Sequence, residues 1–328
     1  MSVLVTGSAG FVGRHMARAL RDLGYRVHCI DIAGDGTDCR EYFRDYPDDH
    51  YELVVHCAAV VGGRTMIDGE PLKLACEDLS IDAALFDWAM RARPGRIVYF
   101  SSAAAYPVAL QGRWPVPNHR TLAERMVDLS LPYPQQPDQT YGWVKLTGER
   151  LAAEANAIGI PTHVFRPFSG YGSDQDQAYP FPAIIARALR HETPFDIWGD
   201  GASSRDWVHI DDVVGAVLAA IEADELGPVN ICTGVETTFD QLATLAMVAA
   251  GYHAGIGHNM SAPQGVFRRV GDPTRMLEFY TPKVTIEEGV VRAVRLAQVY
   301  NTPPPPVRYP VTDDCVPGTS ERYDEIEP

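Results

Sequence analysis

The sequence predicts an α/β fold: a doubly wound parallel sheet followed by a smaller α/β unit. Three observations carry that expectation. Short apolar runs alternate with helix-period segments up to Pro167. The first run is joined to its helix by the turn Gly7-Ser8-Ala9-Gly10-Phe11-Val12-Gly13. The second run closes on an acid, Asp31.

Residues 2–6 read as a buried strand, and the helix after the turn runs to Leu23 and stops at Gly24. Gly7 permits a tight turn, Gly10 lets the backbone approach a diphosphate at the helix N-terminus, and Gly13 lets helix and strand pack closely. Arg26 to Ile30 reads as the second strand. An acid in the place of Asp31 can hydrogen-bond both ribose hydroxyls and repel a 2′-phosphate, which favours NAD over NADP. Asp38 either contacts adenine or caps a helix that begins at Cys39.

Leu53 to Ala59 reads as a buried strand whose small end, Ala58-Ala59, lets a dinucleotide pass close to the sheet. The loop Gly62-Gly63-Arg64 is expected on the same side, and a long helix from about Pro71 to Arg91. The strand Arg96 to Phe100 ends in Ser101-Ser102, where open α/β sheets bind ligands. Residues 107–137 form a proline-rich insertion, read as a loop with a short helix near 119–129. A helix from Asp138 to Ala157 carries Tyr141 and Lys145 on one face, four residues apart. An ammonium beside a phenol favours the phenolate, and a phenol held so can take a proton from a sugar hydroxyl. Ile160 to Arg166 is a further strand.

After Pro167 the regular alternation weakens. Pro180–His191 and Asp211–Ala223 read as helices, and Phe195–Trp198 and Val229–Ile231 as strands. Thr238 with Gln241 and Thr285 with Glu288 read as capping boxes that open two more helices. This divides the chain into a dinucleotide-binding domain over 1–167, with a return near 206–233, a substrate domain over 168–300, and an acidic, proline-rich tail over 301–328 that reads as extended or disordered.

A net charge of −15 argues against a nucleic-acid or acidic-membrane partner, so any phosphate must be met by local arginines and helix N-termini. Six scattered cysteines lack disulfide or zinc spacing, which points to free thiols, no metal and a reducing cytoplasm. The chain opens directly on Val3-Leu4-Val5, so neither a secretory leader nor a membrane span is expected. Only Lys73, Lys145 and Lys283 are lysines among 28 basic residues, so the lysine at 145 stands out.

These residues resemble the extended short-chain dehydrogenase/reductase family, in particular its NAD-dependent nucleotide-sugar epimerases and dehydratases. The resemblance runs from Val3 to about Val299. Its motifs are the Rossmann turn Thr6 to Gly13, His56-Cys57-Ala58-Ala59, Ser101-Ser102 before Tyr106, Tyr141 to Lys145, Arg166-Pro167-Phe168-Ser169-Gly170-Tyr171-Gly172, Gly199-Asp200-Gly201 with Arg205-Asp206, and Gly234. It implies NAD binding by Gly7, Gly10, Phe11, Val12, Gly13 and Asp31, with Asp38, Ala58 and Ala59. Ser101, Tyr141, Lys145 and Pro167 would complete that set. It implies Tyr141 as the acid/base, Lys145 as its partner and Ser102 as the group bonded to the reacting oxygen. Ser102, Ser169, Arg205 and Arg269 (or Arg268) would meet a nucleotide-diphosphate sugar. The helices near 71–91 and 138–157 resemble the family's dimer helices, so a homodimer is expected.

Where related dehydratases carry Asp-Glu after the serine, this chain has Ala103 and Ala104. The 3,5-epimerases and fucose synthases place a cysteine at position 104, although the Gly62-Gly63 loop and Trp198-Gly199-Asp200-Gly201 lean toward that GDP-sugar branch. With those bases missing, the expected reaction is epimerisation at C4 through a transient 4-keto sugar. A 3,5-epimerase using Asp174 or His119, or a reductase or dehydratase, is the alternative. Ser169, Ser203 and Asp78 replace residues usual in the family.

Overall fold

The computed structural model describes residues 1–46, 50–60, 69–114 and 121–299. The chain begins with β1 (Ser2–Thr6), α1 (Phe11–Asp22), β2 (Arg26–Ile30), α2 (Cys39–Asp45), β3 (Leu53–His56), α3 (Pro71–Ala92) and β4 (Ile97–Phe100). After the insertion come α4 (Gln139–Ala157) and β5 (Thr162–Pro167). The second part contributes β6 (Ser169–Tyr171), α5 (Pro180–Leu189), β7 (Phe195–Trp198), β8 (Ser204–His209) and α6 (Ile210–Glu222). Then β9 (Gly227–Ile231) returns to the first sheet, pairing with β5. The remainder is β10 (Glu236–Thr238), α7 (Phe239–Ala249), β11 (Ile256–Asn259), β12 (Arg268–Arg269) and α8 (Ile286–Val299).

The first sheet is parallel, in the order β2-β1-β3-β4-β5-β9. Its strands read as continuous apolar runs because both faces are covered. Met16, Ala17 and Leu20 of α1 pack on one face with Val213, Ala216 and Val217 of α6. Phe43 of α2, Leu85 and Trp88 of α3, and Ala152 and Ala155 of α4 fill the other. The chain leaves β1 for β2 on one side and for β3 on the other, so a crevice opens at the carboxyl ends of β1 and β3. The second part has its own core, where Phe181 and Ile185 of α5 meet Phe195, Trp207, Leu242 of α7 and Val290 of α8. There β8 pairs with β6, β10 and β12, while β7 pairs with β11.

The expected elements are present, with three differences. The short helix expected near 119–129 is a single 3₁₀ turn, Glu124–Met126, with another at Val108–Leu110; residues 115–120 lie outside the described residues. The insertion packs rather than hangs free: Leu110, Leu122, Ala123 and Met126 form a small core with Tyr106, Phe168 and Cys232. No apolar run announces Ser204–His209, yet it is a strand, held by partners far away in sequence. The Gly62-Gly63 loop, His119, Cys315 and the tail 301–328 lie outside the described residues. Both capping boxes form, with Thr238 Oγ1 accepting from the Gln241 N–H at 3.1 Å and Thr285 Oγ1 from the Glu288 N–H at 3.2 Å. Cys29, Cys39, Cys57, Cys76 and Cys232 are free thiols. Among the described residues no helix is long and apolar enough to cross a membrane, and no cluster of three metal-ligating side chains occurs.

Candidate active site

Gly7 leaves β1 with φ +64°, and a Cβ there would stand 2.5 Å from the Ala58 nitrogen. A Cβ on Gly13 would stand 2.1 Å from the Gly7 carbonyl oxygen. Gly10 caps α1 with no side chain over the helix N-terminus, and Phe11 and Val12 follow in its first turn. The turn is tied to β2 through Asp31, whose Oδ2 accepts from the Ala9 N–H at 3.0 Å and whose Oδ1 accepts from Ala33 at 2.7 Å. Glycines where no side chain fits, a bare helix N-terminus and an acid at the end of the second strand suit NAD. Asp38 caps α2 through the Arg40 N–H at 2.9 Å and grips the Arg40 guanidinium at 2.6 Å, which lowers its pKa. The cap is therefore realised.

Ser101 and Ser102 follow β4 and diverge in role. The Ser101 hydroxyl is buried and donates to Glu149 Oε1 at 2.5 Å. Glu149 in turn holds Arg166 in two bonds, at 2.8 and 2.6 Å. Ser102 Oγ accepts from the Ala104 N–H at 3.1 Å, capping the turn Ala103–Ala105 and leaving its hydroxyl hydrogen to donate outward. Helix α4 presses onto this turn. A Cβ on Gly142 would lie 2.4 Å from the Ala104 carbonyl oxygen, and the Asp138 N–H donates to that oxygen at 2.9 Å. Tyr141 is half-buried beside this contact, and among the described residues its hydroxyl bonds to none. Lys145 is buried, with Nζ 5.7 Å from the Tyr141 ring centroid and 5.5 Å from that of Tyr99. Burial works against the Lys145 charge, but Tyr141, Asp82 and Asp78 outweigh it and raise its pKa.

Those two acids were not expected as a pair. Asp78 and Asp82 lie one turn apart on α3 and are both buried. Asp82 Oδ2 accepts from Tyr99 Oη at 2.7 Å. Gly148 makes room for that bond, since a Cβ there would meet the Tyr99 oxygen at 1.8 Å. The signal available in the sequence was acids spaced by four on an otherwise apolar helix face.

On the other side of the crevice, Arg205 and Arg269 are direct register partners on β8 and β12. Arg205 lies over the Phe239 ring at 5.4 Å and donates to the Ser204 carbonyl at 2.7 Å. Arg269 donates to Gln111 Oε1 at 2.6 Å and to Asp138 Oδ2 at 2.7 Å, joining β12 to the insertion and to the start of α4. Arg268 pairs with Glu236 at 2.6 Å. Pro167 ends β5, and Ser169 begins β6 opposite Trp207. Tyr179, just before α5, also faces Tyr141; burial first, then Tyr141, pushes its pKa up to about 12. Nothing in its sequence context marked it.

Asp174 accepts from Arg14 Nε at 2.9 Å and lies 2.9 Å from His15 Nε2. Burial opposes its charge, but His15 and Arg14 hold its pKa down to about 2. A carboxylate so engaged is a poor base near neutrality.

The model of the NAD dependent epimerase/dehydratase family matches residues 3–232. GDP-mannose 3,5-epimerase of Arabidopsis thaliana is 25% identical over 320 residues, 88% of this chain and 80% of that protein. The dTDP-4-dehydro-6-deoxy-D-allose reductase of a Streptomyces species is 27% identical over 304 residues, 84% of this chain and 90% of that protein. Among solved structures, UDP-glucose 4-epimerase of Thermotoga maritima with UDP-glucose superposes with a TM-score of 0.79 at 27% identity, covering 92% of this chain and all of that one.

Proposed function

The chain belongs to the NAD-dependent epimerase/dehydratase family, and on that premise we propose that it is a nucleotide-sugar epimerase acting at C4. The observation that carries this reading is the pairing of an intact Tyr141, Lys145 and Ser102 with buried alanines at 103 and 104. Gly7, Gly10, Gly13 and Asp31 would hold NAD, which supplies a reversible hydride acceptor when bound. Tyr141 would take the proton of the C4 hydroxyl as the C4 hydride leaves, and give it back to the same oxygen when hydride returns to the other face of the keto carbon. Lys145 favours the phenolate that forms, and the Ser102 hydroxyl donates to the reacting oxygen. The 4-keto sugar turns over between the two steps. Arg205 and Arg269 meet the diphosphate, Arg269 by exchanging Asp138 for a phosphate oxygen.

The sequence similarity to a 3,5-epimerase favours that activity as a second reading. It needs a base for carbon acids at C3 and C5. Alanine stands at 104, and Asp174 is engaged by Arg14 and His15. The C4 reaction needs no such group.

A homodimer belongs to the same reading. Helices α3 and α4 pack together and leave Leu72, Leu79 and Met90 of α3 and Trp143 of α4 exposed, a face suited to a second copy. The free thiols fit a reducing cytoplasm.

The test is a screen of UDP-, GDP-, ADP-, CDP- and dTDP-sugars in D2O, read by NMR and mass spectrometry. The expected product is a C4 epimer that carries no deuterium, formed without net change in NADH. Deuterium at C3 or C5 would overturn the C4 assignment, and stoichiometric NAD(P)H consumption would make the protein a reductase.

A further inference from the structure

The loop between β6 and α5, residues 172–179, begins and ends in the lobe but crosses to the dinucleotide turn on its way. Tyr171 before it is buried in the lobe core, its ring 4.3 Å from that of Phe181 on α5, and Tyr179 is the N-cap of α5. Between these two anchors the loop meets the start of α1. A Cβ on Gly172 would stand 3.0 Å from the Phe11 ring. Two residues on, Asp174 is gripped by side chain and main chain at once. Its Oδ2 accepts from Arg14 Nε at 2.9 Å and lies 2.9 Å from His15 Nε2, and its carbonyl oxygen accepts from Arg14 Nη2 at 2.6 Å. The Arg14 guanidinium is 6% exposed, lies over the Phe11 ring at 5.3 Å, and stands 3.5 Å from the carbonyl oxygen of Ala9 inside the glycine turn. Past Asp174 the loop turns outward, and residues 176–178 are exposed.

We propose that Asp174 is a positioning residue for the cofactor: with Arg14 and His15 it clasps the 172–179 loop against the turn that receives the NAD diphosphate, so that the loop straps NAD in and must lift for NAD to exchange. The place of the clasp carries the argument. Phe11 and Arg14 follow directly on Gly10 and Gly13, and Gly10 is the open helix N-terminus at which a diphosphate docks. A loop fastened at Phe11 and Arg14 therefore stands at the rim of that site. The fastening is strong, because one guanidinium bonds both the carboxylate and the carbonyl of the same residue. It is also kept charged: burial opposes the Asp174 anion, yet His15 and Arg14 hold its pKa down to about 2. Finally, the clasp joins two separate cores, that of the first sheet and that of the lobe, so it can open while both stay packed. The inference rests on NAD as the cofactor and not on the carbon that reacts.

NADH fluorescence reads the strap without any sugar. Protein loaded with NADH is mixed with excess NAD to give the release rate, and cofactor-free protein is mixed with NADH to give the association rate. In Asp174→Ala, release should quicken about tenfold, the size of one hydrogen bond to a charged group. Association should quicken with it, because a strap hinders entry as well as exit, and Kd should stay within about threefold. Arg14→Met should change both rates in the same direction, and the double variant should release NADH no faster than the faster single one, since the two residues act through one contact. An unchanged release rate in Asp174→Ala overturns the proposal. Faster release with unaltered association also overturns it, because that is the mark of an ordinary affinity contact. Where a variant does not fold, hydrogen exchange of the wild-type protein decides: saturation with NAD should slow the amides of 172–179 more than those of α7 and α8. Exchange at 172–179 that NAD leaves unchanged overturns the strap. An empty sugar screen would sink the epimerase reading without touching this one.

Discussion

The sheet side and the lobe side of the crevice are built on different principles. On the sheet side, Gly7, Asp31 and Ser102 each stand at or just past the carboxyl end of a parallel strand, and Tyr141 and Lys145 sit on a helix pressed against the same edge. Its reactive groups are left open, with the Tyr141 hydroxyl and the Ser102 hydrogen unengaged among the described residues. On the lobe side, Arg205 and Arg269 come together only because β12 runs in register with β8. Arg269 is already neutralised by Asp138 and held by Gln111. A substrate phosphate must compete with a carboxylate there. The sheet side should thus govern the chemical step and the lobe side the affinity.

Breaking the sheet side should produce the largest effect. Tyr141→Phe removes the proton carrier and nothing that packs, so kcat should fall on the order of a thousandfold or more while Tm and NAD binding are retained. Product formation by NMR and NAD titration calorimetry would check both halves. Unchanged turnover in this variant would make the lobe, and not Tyr141, the seat of chemistry. Next comes the link between the two sides. Asp174→Asn removes the carboxylate charge shared by Arg14 and His15, while the Arg14 bond to the backbone carbonyl of residue 174 stays, and at neutral pH should destabilise the fold by about 2 kcal/mol. The folded carboxyl ionises near pH 2 and the unfolded one near 3.8, so this stabilisation is present above about pH 4 and is lost as pH falls through 2. Denaturation of both proteins along that window should converge at the acid end. Smaller again are the effects on the lobe, and they should have opposite signs. Arg269→Ala should raise KM about tenfold with kcat almost unchanged, the mark of uniform binding. Asp138→Asn frees the same guanidinium and should lower KM by about threefold if exchange of carboxylate for phosphate is what limits affinity.

The two sides were also unequally legible. The glycine turn and the acid of the cofactor cradle lie within the first 31 residues, where strand, turn, helix and acid follow one another, so local periodicity and turn chemistry suffice. The same holds for Tyr141 and Lys145, one turn apart on one helix. The lobe depends on pairings across long separations. Leu122 bridges to Gly271, Gln111 reaches Arg269, and β8 gathers β6, β10 and β12. None of these leaves a local pattern, and Ser-Arg-Asp-Trp-Val-His does not look like a buried strand until its neighbours are known. The Asp78–Asp82 pair was hidden for a related reason: Asp78 reads as one departure from a motif, and only the packing of α3 on α4, the helix that carries Lys145, buries both acids.

Asp78 gives the smallest effect, one on stability alone. The folded Asp78 carboxyl keeps its proton up to about pH 6, whereas the unfolded one releases it near 3.8. Between those values the folded state binds more protons, so stability declines as pH rises through the window and remains lower above it. Asp78→Asn replaces the penalised anion with a neutral group that still accepts from the Val60 N–H. It should therefore be about 1 kcal/mol more stable than the wild type at pH 8, less than the shift alone implies because the new amide lacks a partner, and the advantage should vanish by pH 4. A gain at pH 8 that fades by pH 4 would mark Asp78 as a buried anion held at a cost to the fold. A loss of stability at every pH would instead mark the carboxylate as one the Val60 N–H needs, and the burial would then carry no penalty for the anion.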